Sequence, residues 1–265
     1  MEEHDKMFIC ANDLLADPAR LRQMMHENGY LFLKQVAPHQ KLLKLREDVL
    51  TLCAEAGWVN MDPSSGDARW NGSGPFTEGE SEYMAVYRRI IHLESFKAVP
   101  EDAALKQVMS IIVGGPVLLH QRKIGRVTFP SNVAQTVAAH QDFHYIRGTP
   151  ETYTMWLPAG DCPRELGGLA VLRGSHLAGH IEHTNFSMKK YASSGLTEQQ
   201  WPQGEGFEWH AGDFQLGDAL IFHSYCIHKA LPNLTKDQLR ISIDNRYQPA
   251  NEKFEPGSME THYNL

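Results

Sequence analysis

The sequence predicts an α+β fold, mainly β, in which a helical N-terminal part supports a C-terminal β-rich core. Apolar residues recur at helical spacing before residue 114, whereas short segments rich in β-forming residues follow it, each bounded by turn residues. Strands at this spacing indicate a sandwich or a barrel. No linker-like stretch divides the chain. We therefore expect one domain over residues 1–265, with the helical part at about 1–115 and the β-core at about 116–250.

The N-terminal part combines amphipathic helices with one short strand. Asp13 or Asp17 can cap the first helix, and Gly29 ends it. The stretch 61–79 is rich in glycine, proline, serine and aspartate and should be a loop. The predicted helices are residues 12–28, 38–56 and 100–113, and the predicted strand is 30–33.

The β-core is predicted from short apolar segments separated by turn residues such as Gly167-Gly168 and Pro232-Asn233. A polar insert lies between residues 177 and 206. We expect this insert to act as a lid-like binding loop, because long inserts in compact domains often do so. The predicted strands are residues 117–124, 136–143, 152–157, 169–172, 207–210, 219–228 and 239–247.

The composition argues against several functional classes. The formal net charge is −7, so a basic surface for nucleic acid is not expected. The longest apolar run, residues 111–119, is interrupted by glycine and proline and is too short to span a bilayer. The acidic N-terminus lacks a signal-peptide pattern, and the four widely spaced cysteines fit neither a disulfide framework nor a zinc-thiolate site. We therefore expect a cytoplasmic protein without membrane, nucleic-acid or protein partners.

The stretch His140-Gln141-Asp142 is the centre of the functional prediction, because it carries an imidazole and a carboxylate two residues apart. On an extended strand, side chains i and i+2 point to the same side, so both groups can face a common point. Two histidines and one carboxylate, with open positions left on the metal, form the ligand set of non-haem Fe(II) oxygenases. The sequence therefore predicts a candidate metal site that still needs a third ligand.

Later segments offer this third ligand and an anchor for an anionic co-substrate. The segment 217–228 contains two candidate histidines, His223 and His228. Arg240 and Ser242 would share one face of a later strand. A guanidinium with a neighbouring hydroxyl can bind a carboxylate through charge-assisted hydrogen bonds, which is what the far end of a dicarboxylate needs.

Several motifs in this order resemble the phytanoyl-CoA dioxygenase family, over roughly residues 20–250. The resemblance implies a double-stranded β-helix, a jelly-roll of the cupin type, that uses Fe(II), 2-oxoglutarate and O2. The residues that carry the resemblance are Glu27-Asn28-Gly29-Tyr30-Leu31, His140-x-Asp142, the element from Gly167 to His176, His228 followed by Pro232-Asn233-x-Thr235, and Arg240-x-Ser242.

The resemblance also implies roles for individual residues. The motif around Pro232 favours His228 over His223 as the distal metal ligand. The resemblance assigns no role to Arg246, which can pair with a carboxylate such as Asp244 or Glu165, or reach the pocket. By the resemblance, the iron ligands are His140, Asp142 and His228, and the contacts of 2-oxoglutarate are Arg240, Ser242, Gln121 and Thr154.

The expected reaction is oxidation of a C–H bond in a small molecule, with decarboxylation of 2-oxoglutarate to succinate and CO2. Related halogenases replace the carboxylate ligand by a small residue, so Asp142 favours hydroxylation, desaturation or ring closure. The alternatives are a non-catalytic binding or sensing protein on this scaffold, a cupin-like metalloenzyme without 2-oxoglutarate, and a nucleic-acid demethylase. The demethylase is considered because Arg240 and Arg246 are spaced like the paired arginines of enzymes that repair alkylated nucleic acids. The acidic net charge argues against the demethylase.

Substrate contacts are expected from the insert, from residues 62–82 and from side chains near the metal site. The expected substrate-binding residues are Phe143, His144, Trp156, Arg147 and Trp70, with Arg69, Tyr87 and Tyr145 as further candidates. The sequence gives no signal for a coenzyme A group.

Overall fold

A computed structural model describes residues 5–62, 68–74, 78–130, 137–183 and 195–263. The helices are α1 (Pro18–Asn28), α2 (His39–Glu55), α3 (Ser81–Ile90), α4 (Glu94–Ala98), α5 (Ala103–Val113) and α6 (Phe143–Ile146). The strands are β1 (Lys6–Met7), β2 (Tyr30–Leu33), β3 (Val59–Met61), β4 (Ala68–Trp70), β5 (Val117–Leu119), β6 (Ile124–Thr128), β7 (Tyr153–Pro158), β8 (Leu169–Leu172), β9 (Trp209–Ala211), β10 (Ala219–His223), β11 (His228–Ala230) and β12 (Arg240–Pro249).

Two sheets form the β-core. The larger sheet has the strand order β2-β10-β7-β12-β5, and β6 also pairs with β12. The smaller sheet has the order β1-β9-β8-β11, in which only the β1–β9 pair is parallel. The predicted fold class, a double-stranded β-helix with helices packed against it, is confirmed.

The two faces of the larger sheet contact different parts of the molecule, because successive side chains on each strand point to opposite faces. On β7, Met155 and Leu157 join the core formed with the helices, whereas Trp156 joins a second cluster shared with the smaller sheet. On β12, Ile241 and Ile243 also face the helical layer. Arg240, Ser242, Asp244 and Arg246 therefore point towards the space between the sheets.

The N-terminal helices cover the outer face of the larger sheet through buried leucines and valines. Asp17 caps α1 by accepting a hydrogen bond from the Arg20 amide at 3.2 Å, and Gly29 ends the helix with φ 76°. Gly29 is also required by space, since a Cβ there would lie 2.4 Å from His176 Nδ1. The predicted helix 12–28 is thus two elements, a short 3-10 turn at Asn12–Leu14 and α1.

Several predicted boundaries were wrong. The N-terminal part also holds α3 and α4, and its strand β2 pairs with β10 inside the larger sheet. The predicted loop 61–79 contains β4, which pairs with β3. The predicted strands 117–124 and 219–228 are each interrupted by a turn. Residues 184–194 of the predicted insert lie outside the described residues.

Among the helices in the described part of the chain, none has the length and the apolar character that crossing a membrane requires.

Candidate metal centre

His140, Asp142 and His228 converge, with one ligand atom of each within 4.8 Å of the others. Asp142 Oδ1 lies 3.7 Å from His140 Nε2 and 3.9 Å from His228 Nε2. All three side chains are buried. Over the described ranges, no other set of three histidine, cysteine or acidic side chains converges in this way.

The backbone brings the two histidines together through an isolated antiparallel bridge. The His140 amide donates to the His228 carbonyl at 3.0 Å, and the His228 amide donates to the His140 carbonyl at 3.0 Å. Their ring centroids are consequently 4.2 Å apart. This pairing joins the β11 strand to the segment that precedes α6.

Asp142 does not lie on an extended strand, so the predicted strand 136–143 was wrong over its described residues. Its backbone is helical, with φ −60° and ψ −34°, and it immediately precedes α6. The Asp142 carbonyl accepts hydrogen bonds from Tyr145 and Ile146. The turn, and not strand alternation, therefore directs the Asp142 carboxylate towards His140.

Each histidine presents Nε2 to the shared point because its Nδ1 is occupied. His140 Nδ1 donates to the Ala138 carbonyl at 2.8 Å, and His228 Nδ1 donates to the Cys226 carbonyl at 3.0 Å. A carbonyl only accepts, so each Nδ1 carries the proton and each Nε2 keeps its lone pair. Burial and the neighbouring His140 lower the pKa of His228 to about 3, so its imidazole is neutral at neutral pH.

The carboxylate of Asp142 is held by two side chains. Arg246 donates from Nε to Oδ2 and from Nη2 to Oδ1, both at 3.1 Å, and Thr154 Oγ1 donates to Oδ2 at 2.5 Å. Burial raises the pKa of Asp142, but Arg246 and the two histidines outweigh it and hold the pKa well below its usual range. The carboxylate is therefore anionic and fixed in orientation, as a metal ligand requires.

Arg240 and Ser242 offer a buried site for an anion. Arg240 donates to the carbonyl of Gly167 and to Thr128 Oγ1, and its guanidinium lies 5.9 Å from the Trp156 ring. Within the described residues it forms no ion pair with a carboxylate, and Arg240 Nε and Ser242 Oγ have no hydrogen-bond partner. A buried cation with unused donors fits a carboxylate ligand. The nitrogen and oxygen donors of the triad likewise fit Fe(II).

The structure places the other predicted cofactor and substrate residues in different surroundings. Trp156 is buried between the sheets, with its ring 4.7 Å from Phe214. Gln121 is exposed in the turn between β5 and β6. Trp70 lies on β4, donates from Nε1 to the Ser73 carbonyl at 2.9 Å, and packs against the helical core.

Phe143, His144 and Arg147 lie on or directly after α6, beside the metal ligands. His144 stacks on His183 with ring centroids 4.0 Å apart, and Phe143 lies 5.2 Å from His180. Arg147 is exposed and has φ 51°. The start of the insert therefore packs on the turn that carries Asp142.

His223 lies outside the convergent group. Its Nδ1 accepts a hydrogen bond from the Tyr225 amide at 3.0 Å, and its Nε2 faces Glu151 at 3.9 Å. Arg246 pairs with Asp142, whereas Asp244 pairs with Arg126 at 3.2 Å. The suggested pairing of Arg246 with Asp244 or Glu165 was thus wrong, and Arg246 follows the other alternative, since it reaches the metal centre.

Sequence reasoning missed Gln141, which lies between two of the three convergent residues and is fully buried. Its side chain donates to the carbonyls of Gly179 at 2.8 Å and Tyr225 at 2.7 Å, and it accepts from the Ile181 amide at 2.8 Å. These bonds tie the start of the insert to the metal centre. No sequence signal could reveal them, because all the partners are backbone groups.

Known proteins are similar to this chain over most of its length. Residues 25–242 match the family model described as phytanoyl-CoA dioxygenase (PhyH). The chain is similar to the 1-deoxypentalenic acid 11-beta-hydroxylase of Streptomyces arenae, at 36% identity over 252 residues, covering 89% of this chain and 83% of that protein. It is also similar to the hydroxylase of the same name from Streptomyces exfoliatus, at 25% identity over 92% of this chain and 85% of that protein.

Solved structures show the same fold at low sequence identity. The epimerase SnoN, in complex with Fe3+, alpha-ketoglutarate and nogalamycin RO, aligns with a TM-score of 0.61 at 15% identity, over 91% of this chain and 87% of that chain. EvdO2 from Micromonospora carbonacea var. aurantiaca, complexed with 2-oxoglutarate, aligns with a TM-score of 0.54 at 17% identity, over 91% of this chain and 96% of that chain. With the family model spanning most of its length, the chain belongs to the phytanoyl-CoA dioxygenase family.

Proposed function

We propose that this protein is an Fe(II)- and 2-oxoglutarate-dependent dioxygenase that hydroxylates a C–H bond of a small-molecule metabolite. The observation that carries the proposal is the convergence of His140, Asp142 and His228 within 4.8 Å. The buried Arg240–Ser242 pair supplies the independent support, because a metalloenzyme without a dicarboxylate co-substrate has no need for it.

In this proposal, His140 Nε2, His228 Nε2 and Asp142 Oδ1 hold the metal. Bound together with 2-oxoglutarate, Fe(II) supplies the oxidation of an unactivated C–H bond by dioxygen, with succinate and CO2 as products. Arg246 and Thr154 keep the Asp142 carboxylate anionic and in place. The presence of this carboxylate favours oxygenation over halogenation.

Arg240 and Ser242 bind the distal carboxylate of 2-oxoglutarate. The pair lies on the inward face of β12, and Arg240 Nε and Ser242 Oγ, without partners among the described residues, are the donors for that carboxylate. Thr154 contacts Asp142 and is close enough to the centre to support a role beside the co-substrate. The exposed side chain of Gln121 lends its predicted contact no support.

For the substrate we propose a small organic acid, since the curated relatives named above hydroxylate 1-deoxypentalenic acid. His144 on α6 and Arg147 at the end of that helix come shortly after Asp142 in the chain and would supply a hydrogen-bonding and a cationic group to such an acid. Phe143 adds an aromatic surface there. Trp156 and Trp70 remain predicted contacts. Trp156 faces Arg240, which suits the co-substrate end better than the substrate end.

We also propose that the chain works as one domain in the reducing cytoplasm, without a nucleic-acid or protein partner. The four cysteines without disulfides support the reducing compartment. The net charge of −7 supports the absence of a nucleic-acid partner.

The test is succinate formation from 2-oxoglutarate by the purified protein with Fe(II) in air. We expect succinate in the wild type and a higher rate when a substrate from a panel of small organic acids, including 1-deoxypentalenic acid, is oxygenated. Asp142→Ala, which removes a metal-holding group, should form none. Bound 2-oxoglutarate without any succinate would instead indicate the non-catalytic sensing protein.

A further inference from the structure

Tyr145 lies on α6, in the helical turn that begins at Asp142. Its amide donates to the Asp142 carbonyl at 2.9 Å, within the tight turn that opens α6. In such a turn, side chains three residues apart lie on the same side. Because the Asp142 carboxylate faces the metal centre, the Tyr145 side chain is directed towards the same side.

The ring contacts agree with this placement. The Tyr145 and His140 ring centroids are 5.7 Å apart, with the rings edge to face at 71°. Apart from the imidazoles themselves, the rings that contact a triad histidine in the described part of the chain are Tyr145 and Phe222, the latter 4.3 Å from His228. The centre is therefore flanked by two oxidisable rings.

These two rings differ in access and in chemistry. Phe222 is 1% exposed and packed in the cluster between the sheets, whereas Tyr145 is 38% exposed. Of the two rings, Tyr145 is thus the one that solvent and dissolved small molecules can reach. Its phenol is also the more electron-rich ring, since the hydroxyl activates the positions ortho to it.

We propose that Tyr145 is an internal oxygen acceptor, hydroxylated ortho to its phenol when no small-molecule substrate is bound. This inference rests on the proposed dioxygenase function. A ring C–H bond breaks and a C–OH bond forms, giving a catechol. One oxygen atom of dioxygen enters the ring and the other enters succinate, while 2-oxoglutarate loses CO2. Dioxygen accepts four electrons, two from the ring and two from 2-oxoglutarate.

The placement can be measured without turnover. In protein labelled with 3-fluorotyrosine, the Tyr145 fluorine resonance is the one missing from Tyr145→Phe. The chain has nine tyrosines, and adding Mn(II) should broaden the Tyr145 resonance more than those of the other eight. Tyr225 serves as the comparison, because its ring contacts Phe143 and His180 instead of a triad residue. A Tyr145 resonance unaffected by Mn(II) would overturn the inference.

The modification is tested by incubating the protein with Fe(II), 2-oxoglutarate and isotopically labelled dioxygen, without added substrate. Peptide mass spectrometry should find one labelled oxygen atom on Tyr145, and the catechol should be absent from Tyr145→Phe and retained in Tyr225→Phe. Succinate without oxygen on Tyr145, or with oxygen on the Phe222 peptide, would overturn this inference and leave the proposed function standing. Absence of succinate would overturn both.

Discussion

The Arg246 guanidinium binds both oxygens of Asp142, with Nε 3.1 Å from Oδ2 and Nη2 3.1 Å from Oδ1. The two side chains are 5% and 4% exposed, so this is a buried, two-pronged ion pair. Removal of one partner leaves the other as an unpaired buried charge, which costs far more than the intact pair contributes. Arg246 therefore couples the stability of the fold to the charge state of the metal centre.

The first prediction concerns this pair in the metal-free protein. Arg246→Met should lower the free energy of unfolding by about 3–5 kcal/mol, because Asp142 is then buried without a cation. Urea unfolding measures this change. Adding Asp142→Asn to Arg246→Met should restore part of the loss, since no charge is then stranded. Equal stability of Arg246→Met and wild type would contradict the role given to the pair.

The second prediction separates the two candidate distal histidines. His228→Ala should lose bound iron, because Nε2 of His228 faces the shared point, whereas His223→Ala should keep it. Metal content after dialysis against Fe(II) under anaerobic conditions gives the answer. Iron loss in His223→Ala with retention in His228→Ala would reverse the assignment.

A third prediction tests the hydroxyl that supports Asp142. Thr154→Val keeps the shape of the side chain but removes the donor to Asp142 Oδ2, and should weaken Fe(II) affinity by roughly 10–100-fold. Thr152→Val is the matched control, because Thr152 is also buried but donates to the Thr149 carbonyl. If both variants bind Fe(II) alike, Thr154 does not position the ligand.

The fourth prediction addresses the co-substrate anchor. Arg240→Ala should weaken binding of 2-oxoglutarate by roughly 2–5 kcal/mol, the cost of leaving a buried carboxylate without its charge partner. Anaerobic titration calorimetry of the Fe(II)-loaded protein measures it. Arg69→Ala removes an exposed ion pair with Asp237 and should leave the affinity unchanged. Unaltered affinity in Arg240→Ala would remove Arg240 from the co-substrate site.

The fifth prediction follows from buried neutral histidines. Burial lowers the pKa of both His120 and His176 to about 4, and of His228 to about 3. An unfolded histidine takes up a proton near pH 6.5, so below that pH the unfolded state binds more protons than the folded state. The contribution of these histidines to the free energy of unfolding is therefore complete above about pH 6.5, and it is lost as the pH falls towards their pKa values in the folded state.

At pH 5, each of these histidines should cost the metal-free protein roughly 1–2 kcal/mol of unfolding free energy relative to pH 7. Urea unfolding at the two pH values measures the sum. His120→Gln, in which an amide N–H can replace the hydrogen bond to Gln248, should reduce the dependence by the share of one histidine. An unfolding free energy that does not change between pH 7 and pH 5 would contradict this account.

Much of the β-core could be predicted because residues that face the helices alternate in the sequence with residues that face the space between the sheets. On β12, Ile241 and Ile243 alternate with Arg240 and Ser242, and the structure gives the two sets opposite surroundings. The apolar strand β8 was likewise predicted with its observed bounds, Leu169–Leu172, because turn residues flank it. Local pattern and burial agree in these segments, which is why the sequence was informative.

The details of the metal centre could not be predicted in the same way. His140 and Asp142 were expected to share the face of a strand, but a backbone bridge to His228 and a helical turn direct them instead. The pairing of Arg246 with Asp142 joins residues 104 positions apart. No local pattern encodes such a contact, since it depends on how β12 is placed against α6.

The most direct test of the central claim is an anaerobic titration of the Fe(II)-loaded protein with 2-oxoglutarate, followed by the visible charge-transfer absorption of the chelate. We predict that the absorption grows to saturation in the wild type, does not appear in Asp142→Ala, and needs far more 2-oxoglutarate in Arg240→Ala. Binding of 2-oxoglutarate that does not depend on Fe(II), or no absorption in the wild type, would contradict the assignment of this centre.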